Sequence, residues 1–281
     1  MLQHSMYPKF SVLIPVYIKE NSSFLESALR SILDEQTIVP DEVIVVEDGP
    51  ITEALENVIG DFHTRHGNVI KRYKLEKNQG MGIAMNYGLT RASFEWIARM
   101  DSDDIAVFDR FERQLKFLKR NPMIDVLGSS IEEFNLQPGD LRRFRALPQE
   151  NNAIVRLMKF RNPINHMTVF FRKEVALRAG GYWSHKFNED YNLWYEMQKI
   201  GAKFHNLSDN LVHVRVGNNM VGRRRGYHYF VFERILLTKF LNDRFITPFQ
   251  YSYLTLVKLS LRILPTGILK MFYKTFLRKS N

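Results

Sequence analysis

Apolar residues in this chain follow two rhythms, and the alternation between them is the first guide to its fold. Ser11–Tyr17 reads Ser-Val-Leu-Ile-Pro-Val-Tyr and Asp41–Glu47 reads Asp-Glu-Val-Ile-Val-Val-Glu, short apolar runs that suit buried strands. Between them Phe24, Leu25, Ala28, Leu29 and Ile32 recur at helical spacing, which makes the stretch a strand, helix, strand unit. Val69–Leu75 and Phe94–Met100 continue the alternation, and a helix is expected near Asp109–Arg120. Farther on, Leu193, Trp194 and Met197 predict a helix that Gly201 ends. Continuous apolar strands alternating with amphipathic helices imply an α/β fold with a mostly parallel sheet covered on both faces.

Where the fourth strand runs out, the chain reads Met100-Asp101-Ser102-Asp103-Asp104. Three carboxylates there call for a cation, because burying unpaired negative charge is costly. Ligands of open α/β sheets bind beyond the carboxyl ends of the strands, so this is where a phosphate-bound metal would sit. Hard oxygen ligands suit Mg²⁺ or Mn²⁺, and zero cysteines exclude thiolate zinc and disulfides. A helix N-cap explains the same acids without a metal. Asp48, at the end of the second strand, lies at the same sheet edge as Asp101. A carboxylate there can accept a uracil imide N–H or a ribose hydroxyl. The string Asn78-Gln79-Gly80-Met81-Gly82, followed by Asn86, has glycines that permit a tight turn and close approach of a ligand. It is neither a Walker loop nor a Gly-x-Gly-x-x-Gly, and an ordinary helix start would read the same way.

Together with Val46-Glu47-Asp48-Gly49 and Asn188-Glu189-Asp190-Tyr191-Asn192-Leu193-Trp194, these strings resemble the family 2 glycosyltransferases, enzymes of the GT-A fold. The resemblance covers Ser11 to about Arg225. It implies a Rossmann-like catalytic domain over residues 1–225, with a nucleotide-sugar half to about 135 and an acceptor half from about 136, set off by the Gln137-Pro138-Gly139-Asp140 turn. It further implies a donor site built from Pro15, Tyr17, Glu47, Asp48, Asn78, Gly80, Asn86, Asp101 and Ser102, in which Asp48 recognises the base. Asp103 is the main metal ligand and Asp101 the second. Glu47 stands where the family more often has Asp. In the resembling enzymes the second acid of the Glu189-Asp190 pair is the general base, so Asp190 would take the proton of the acceptor hydroxyl in an inverting transfer. Glu189, Trp194 and His166, the last in Asn162-Pro163-Ile164-Asn165-His166, would serve the acceptor or the sugar. Arg215, Arg223 and Arg224 would stabilise the diphosphate, although a solvated basic turn explains Arg223–Arg225 equally well.

Charge divides the chain in two. Residues 1–222 hold 28 Lys plus Arg and 28 Asp plus Glu, whereas residues 223–281 hold twelve bases against Glu233 and Asp243, which accounts for the net +10. Residues 226–281 therefore read as a basic amphipathic helical region. Lys258 and Arg262 are expected on one helix face and Lys270, Lys274 and Arg278 on another, beside Tyr253, Leu254, Val257 and Leu261. Such a surface suits an anionic membrane. It does not span one, since the longest stretch there free of charged residues, Phe245–Val257, has 13 residues. Docking on the catalytic core, or on a second copy of the chain through these helices, is the alternative. Nucleic acid is not indicated, because no recognition module accompanies the charge. Residues 1–9 lack the apolar core of a signal peptide, which fits a cytoplasmic protein peripheral at the inner face of the cell membrane. The resemblance implies a transferase that moves a sugar from a UDP-sugar to a saccharide acceptor, lipid-linked, in polysaccharide biosynthesis. A sugar nucleotidyltransferase and a non-catalytic sugar-nucleotide or membrane-binding scaffold remain the alternatives.

Overall fold

The computed structural model describes residues 7–216, 226–263 and 279–280. Its first half follows the alternation of apolar runs: β1 (Phe10–Val16), α1 (Ser22–Leu33), β2 (Glu42–Glu47), α2 (Glu53–His66), β3 (Ile70–Lys74), α3 (Met81–Arg91) and β4 (Trp96–Arg99). These four strands lie in the order β3-β2-β1-β4, all parallel. Successive side chains of β1 and β2 enter opposite cores, which is why neither strand has a polar face. Val12, Ile14, Val43 and Val45 join Leu25, Leu29, Leu55 and Phe62 of α1 and α2. Leu13, Ile44 and Val46 join Ala84, Met85 and Leu89 of α3 on the other side.

Beyond β4 the sheet becomes mixed. Short β5 (Ile105–Ala106) and α4 (Arg110–Arg120) precede β6 (Val126–Phe134), β7 (Arg143–Arg145), α5 (Asn151–Met158), β8 (Phe170–Arg172) and α6 (Lys173–Arg178). Next come α7 (Glu189–Lys199) and the long β9 (Phe204–Arg215). Strand β8 pairs antiparallel with both β4 and β6, while β9 runs parallel to β6 and antiparallel to β5. The β5–β9 pairing brings the end of β9 against the acidic turn after β4. The turn at residues 137–140 closes the β6–β7 hairpin, with the Asp140 carboxylate accepting from Leu136 N at 2.7 Å.

Two helices, α8 (Tyr227–Asn242) and α9 (Pro248–Ile263), complete the described chain, with a two-residue strand β10 (Lys279–Ser280) on the edge of β7. Phe240 of α8 sits among the rings of Tyr195 and Tyr191 of α7, with centroids 4.3 and 5.6 Å away. The Tyr195 hydroxyl donates to Asp243 at 2.8 Å. Helix α8 is thus part of the core that covers the sheet. Helix α9 departs from the expected outward basic stripe. Lys258 and Arg262 turn inward onto buried Glu233 of α8, at 2.9 and 2.7 Å, and are only 15% and 7% exposed. An amphipathic pattern marks which residues share a face, and here one buried carboxylate decides that this face points in. Lys270, Lys274 and Arg278 lie outside the described residues. No helix among the described residues is long and apolar enough to cross a membrane.

Burial works to raise the Glu233 carboxyl, and Lys258 and Arg262 outweigh it, holding it below its ordinary value of 4.5. The sign of the pH dependence follows: the contribution is complete above that value and is lost as pH falls through the depressed one. Glu233→Ala takes the shared carboxylate from two largely buried cations, and the expected loss is about 3 kcal/mol in urea denaturation. An unchanged midpoint would show that the pair carries no weight.

Candidate active site

Three turns meet beyond the carboxyl ends of β1, β2 and β4. Pro15 and Tyr17 come from the end of β1, Asp48 from the end of β2, Asn78 and Gly80 from the start of α3, and Asp101, Ser102 and Asp103 from the turn after β4. All eight line one cleft of about 550 Å³. The loop is fixed by Asp48, whose two carboxylate oxygens accept from Gln79 N at 2.7 Å and Gly80 N at 2.9 Å. Asn78 ties back to the Asp48 carbonyl at 3.2 Å. Gly80 has φ +94°, a conformation that L side chains rarely adopt, and it opens α3 without a side-chain cap.

The acidic turn is held from beneath and from behind. Carboxylate oxygens of Asp101, Asp103 and Asp104 lie within 4.8 Å of one another. Below them Arg99, fully buried, forms an ion pair with Asp101. Arg110, also fully buried, donates to the Arg99 carbonyl at 2.7 Å. Burial, reinforced by the charge of Arg99, pulls the Arg110 guanidinium down to about 9. Burial and the neighbouring carboxylates of Asp101 and Asp103 push the Asp104 carboxyl well above its ordinary range. Asp104 accepts from Arg215 N at 2.9 Å through one oxygen, and its other oxygen is buried without a hydrogen-bond partner among the described residues. Three oxygen donors converging with one lone orphaned oxygen fit a hard divalent cation.

Arg215, expected at the diphosphate, instead braces this turn. Its Nε donates to the Asp103 carbonyl at 3.1 Å, and its guanidinium lies over the rings of Phe24 and Phe134, 3.8 and 4.5 Å from their centroids. Arg223 and Arg224 lie outside the described residues.

The acid pair of α7 stands beside the cleft. Asn188 adopts a left-handed conformation with φ 62° and swings the chain into the helix, so Glu189 and Asp190 occupy its first turn. Asn162 donates to Asp190 Oδ2 at 2.6 Å, and Asp190 Oδ1 accepts from Tyr191 N at 2.7 Å. The first turn of α3 reaches this region directly: a Cβ on Gly82 would collide with the Trp183 carbonyl and lie 3.4 Å from Glu189 Cβ.

Other predicted site residues are placed elsewhere. Trp194 is fully buried, with its ring 5.8 Å from Phe171 and 6.1 Å from His166, so it is a core side chain and not a sugar platform. Glu47 is 2% exposed, takes two hydrogen bonds from Arg72 at 3.0 and 2.7 Å, and does not line the cleft. Asn86 is committed to the loop before α7, accepting from Tyr182 N at 2.7 Å and donating to the Tyr182 carbonyl. Its part in the site is to hold that loop. His166 shares a 3.0 Å hydrogen bond with the Tyr182 hydroxyl, and burial lowers its pKa well below the ordinary value. Asp104, already counted among the three carboxylates that call for a cation, is given no ligand role by the motifs; residues that motif reading missed are the buried pair Arg99 and Arg110, and Lys186 and Phe187 on the cleft wall. The signal for Arg99 was present in Ala98-Arg99-Met100, since an arginine inside an apolar strand needs a buried partner.

Comparison with known proteins gives the family and the fold. Residues 11–177 match Glycosyl transferase family 2. The amylovoran biosynthesis glycosyltransferase AmsE of Erwinia amylovora is 37% identical over 267 residues, 94% of this chain and 98% of that protein. An Escherichia coli UDP-Gal:alpha-D-GlcNAc-diphosphoundecaprenol beta-1,3-galactosyltransferase is 37% identical over 272 residues, covering 97% and 98%. Among solved structures, S. aureus TarS 1-349 in complex with UDP-GlcNAc superposes with TM-score 0.63 at 21% identity, over 89% of this chain and 71% of that one. The mannosyltransferase PcManGT from Pyrobaculum calidifontis, in complex with GDP-Man and Mn2+, gives TM-score 0.64 at 17% identity, over 94% and 72%. The sheet and helices are those of the GT-A fold. With its family match across more than half of its length and full-length relatives in polysaccharide biosynthesis, the chain belongs to glycosyl transferase family 2 and is a glycosyltransferase.

Proposed function

We propose that this chain is an inverting, divalent-cation-dependent transferase that moves a sugar from a UDP-sugar to a hydroxyl of a lipid-linked saccharide in cell-surface polysaccharide synthesis. The observation that carries the reading is the convergence of Asp101, Asp103 and Asp104 at the cleft that Asp48 and the Gly80 loop line. Asp101, Asp103 and Asp104 would hold Mn²⁺ or Mg²⁺, which, when bound, supplies Lewis-acid stabilisation of the charge that develops on the diphosphate. Asp48, Pro15 and Tyr17 form the wall for the uridine, with Asp48 oxygens keeping lone pairs for the imide N–H beyond those given to Gln79 and Gly80. The donor class is supported by the UDP-sugar named for the Escherichia coli relative and the UDP-GlcNAc bound to TarS. The acceptor class is supported by that relative's diphosphoundecaprenol substrate.

In the transfer the acceptor oxygen forms a bond to the anomeric carbon as the bond to the diphosphate breaks, with the electron pair leaving on the phosphate oxygen. Asp190 receives the hydroxyl proton. Asn162 holds one of its oxygens, so the carboxylate is oriented before the acceptor arrives.

The membrane side of the proposal moves from the basic stripe to an apolar one. Phe249, Tyr253 and Leu256 of α9 are 80%, 55% and 65% exposed, and α9 contains no acidic residue. With the excess positive charge concentrated in residues 223–281, this face suits an anionic lipid surface at the inner side of the cell membrane.

Two outcomes are expected. Asp190→Asn keeps size, gives up one of the two acceptor oxygens and cannot take a proton, so UDP affinity stays near normal while transfer falls by about 100-fold or more. Wild-type turnover in that variant removes Asp190 as the base. Replacing Phe249, Tyr253 and Leu256 by Ser should abolish co-sedimentation with anionic vesicles and leave UDP binding intact. Self-association of the wild type in solution, with no vesicle binding, would assign the face to a second copy of the chain.

A further inference from the structure

The cleft has a wall that the donor-site motifs do not account for. Lys186 and Phe187 line it, three and two residues before Glu189. Their loop, residues 182–188, has no acidic residue, and Lys186 has no carboxylate partner among the described residues. Four of the other lining residues, Glu20, Asp48, Asp101 and Asp103, are acids. Lys19, the second lysine at the cleft, is followed directly by one of them, Glu20. A diphosphate entering so acidic a cleft is repelled unless cations meet it, and one divalent ion at the strand ends faces only one side of it.

Phe187 shows what keeps this wall in place. Its ring lies 4.7 Å from Tyr229, 5.6 Å from Phe232 and 6.3 Å from His228, all on α8. His185 adds a contact to Phe232 at 5.9 Å. From the other end, Asn86 fixes the loop at Tyr182, and a Cβ on Gly181 would collide with the Asn86 oxygen. The loop is therefore held between α3 and α8, and Lys186 sits between the two anchored rings, with its Nζ 5.9 Å from the Phe187 ring centroid. Aromatic pairs of this kind contribute about 0.5–1.5 kcal/mol each beyond their buried area, enough to hold a short loop in one position.

We propose that Lys186 binds the diphosphate of the nucleotide-sugar donor from the side opposite the acidic turn, and that α8 positions it through Phe187, Tyr229 and Phe232. The C-terminal helix pair is then a structural part of the donor site. The inference rests on the nucleotide-sugar reading of the cleft.

Calorimetry of UDP and of uridine, each in the presence of Mn²⁺, tests it on the full chain. Lys186→Gln should weaken UDP by about 10-fold and leave uridine unchanged, since a charge-assisted hydrogen bond to phosphate is lost and the nucleoside makes none. Lys186→Arg should recover most of the loss. Phe232→Ala, whose ring packs on Phe187, His185 and His228, should give a smaller loss in the same direction, about 3-fold for UDP and none for uridine. Unchanged UDP affinity in Lys186→Gln, or an equal fall for UDP and uridine, overturns the proposal. A wild type that binds UDP alongside such a result leaves the donor reading standing, whereas a wild type that binds neither ligand overturns both.

Discussion

Negative charge at the end of β4 is the constraint around which the rest of the site is arranged. Oxygens of Asp101, Asp103 and Asp104 approach within 4.8 Å. At an effective dielectric near 20, two unit charges at that distance repel by about 3 kcal/mol before solvent screening. The chain meets part of that cost at Asp104, whose carboxyl is pushed well above its ordinary range by burial and by Asp101 and Asp103. The chain offsets it with Arg99 and Arg110 buried below and with the Arg215 backbone amide behind. Those guanidiniums are costly to bury themselves, and each is tolerated because the other charges are there. The balance is incomplete: one oxygen of Asp104 has no partner among the described residues. The proposed divalent cation would complete what the arginines leave.

From that turn the architecture radiates in both directions. Strand β9 pairs with β5 and carries Arg215 to the acidic turn, so the mixed part of the sheet supports the acids at the end of its parallel part. Helix α3 crosses from the Asp48-held loop to the Tyr182 loop through Asn86, and α8 closes the same loop from the far side through Phe187. The acid pair of α7 belongs to the same connected body, with Asp190 tied to Asn162. Sheet, cleft loops and C-terminal helix thus share walls. A change in one is expected to reach the others by short, nameable contacts.

The parts of this design legible in the sequence are those written in local pattern. Strands buried on both faces have to be apolar throughout, so β1, β2 and β4 stand out, and chemistry at their ends is found by looking where each run stops. Asp48, Asn78, Gly80, Asp101 and Asp103 were within reach for that reason. Trp194 was misplaced because helical spacing puts it on a face without saying which neighbour covers that face, and Phe171 and His166 cover it. The same limit applies to Lys258 and Arg262, whose direction is set by Glu233, about 25 positions away on another helix. Asn86 looked like a ligand contact because it stands in a motif, but its partner is a backbone 96 residues distant. Lys186 carries no local signal at all: a lysine in a loop becomes informative only when the fold turns it into a cleft of acids.

The central claim is that these acids hold a divalent cation at the donor's diphosphate. Crystals of the protein grown with UDP and Mn²⁺ and measured at the manganese absorption edge address it most directly. The account predicts one anomalous peak, within ligand distance of carboxylate oxygens from the Asp101, Asp103 and Asp104 group and of the UDP diphosphate, about 2.0–2.2 Å. Nucleotide bound in the cleft with no anomalous peak at these carboxylates would contradict it.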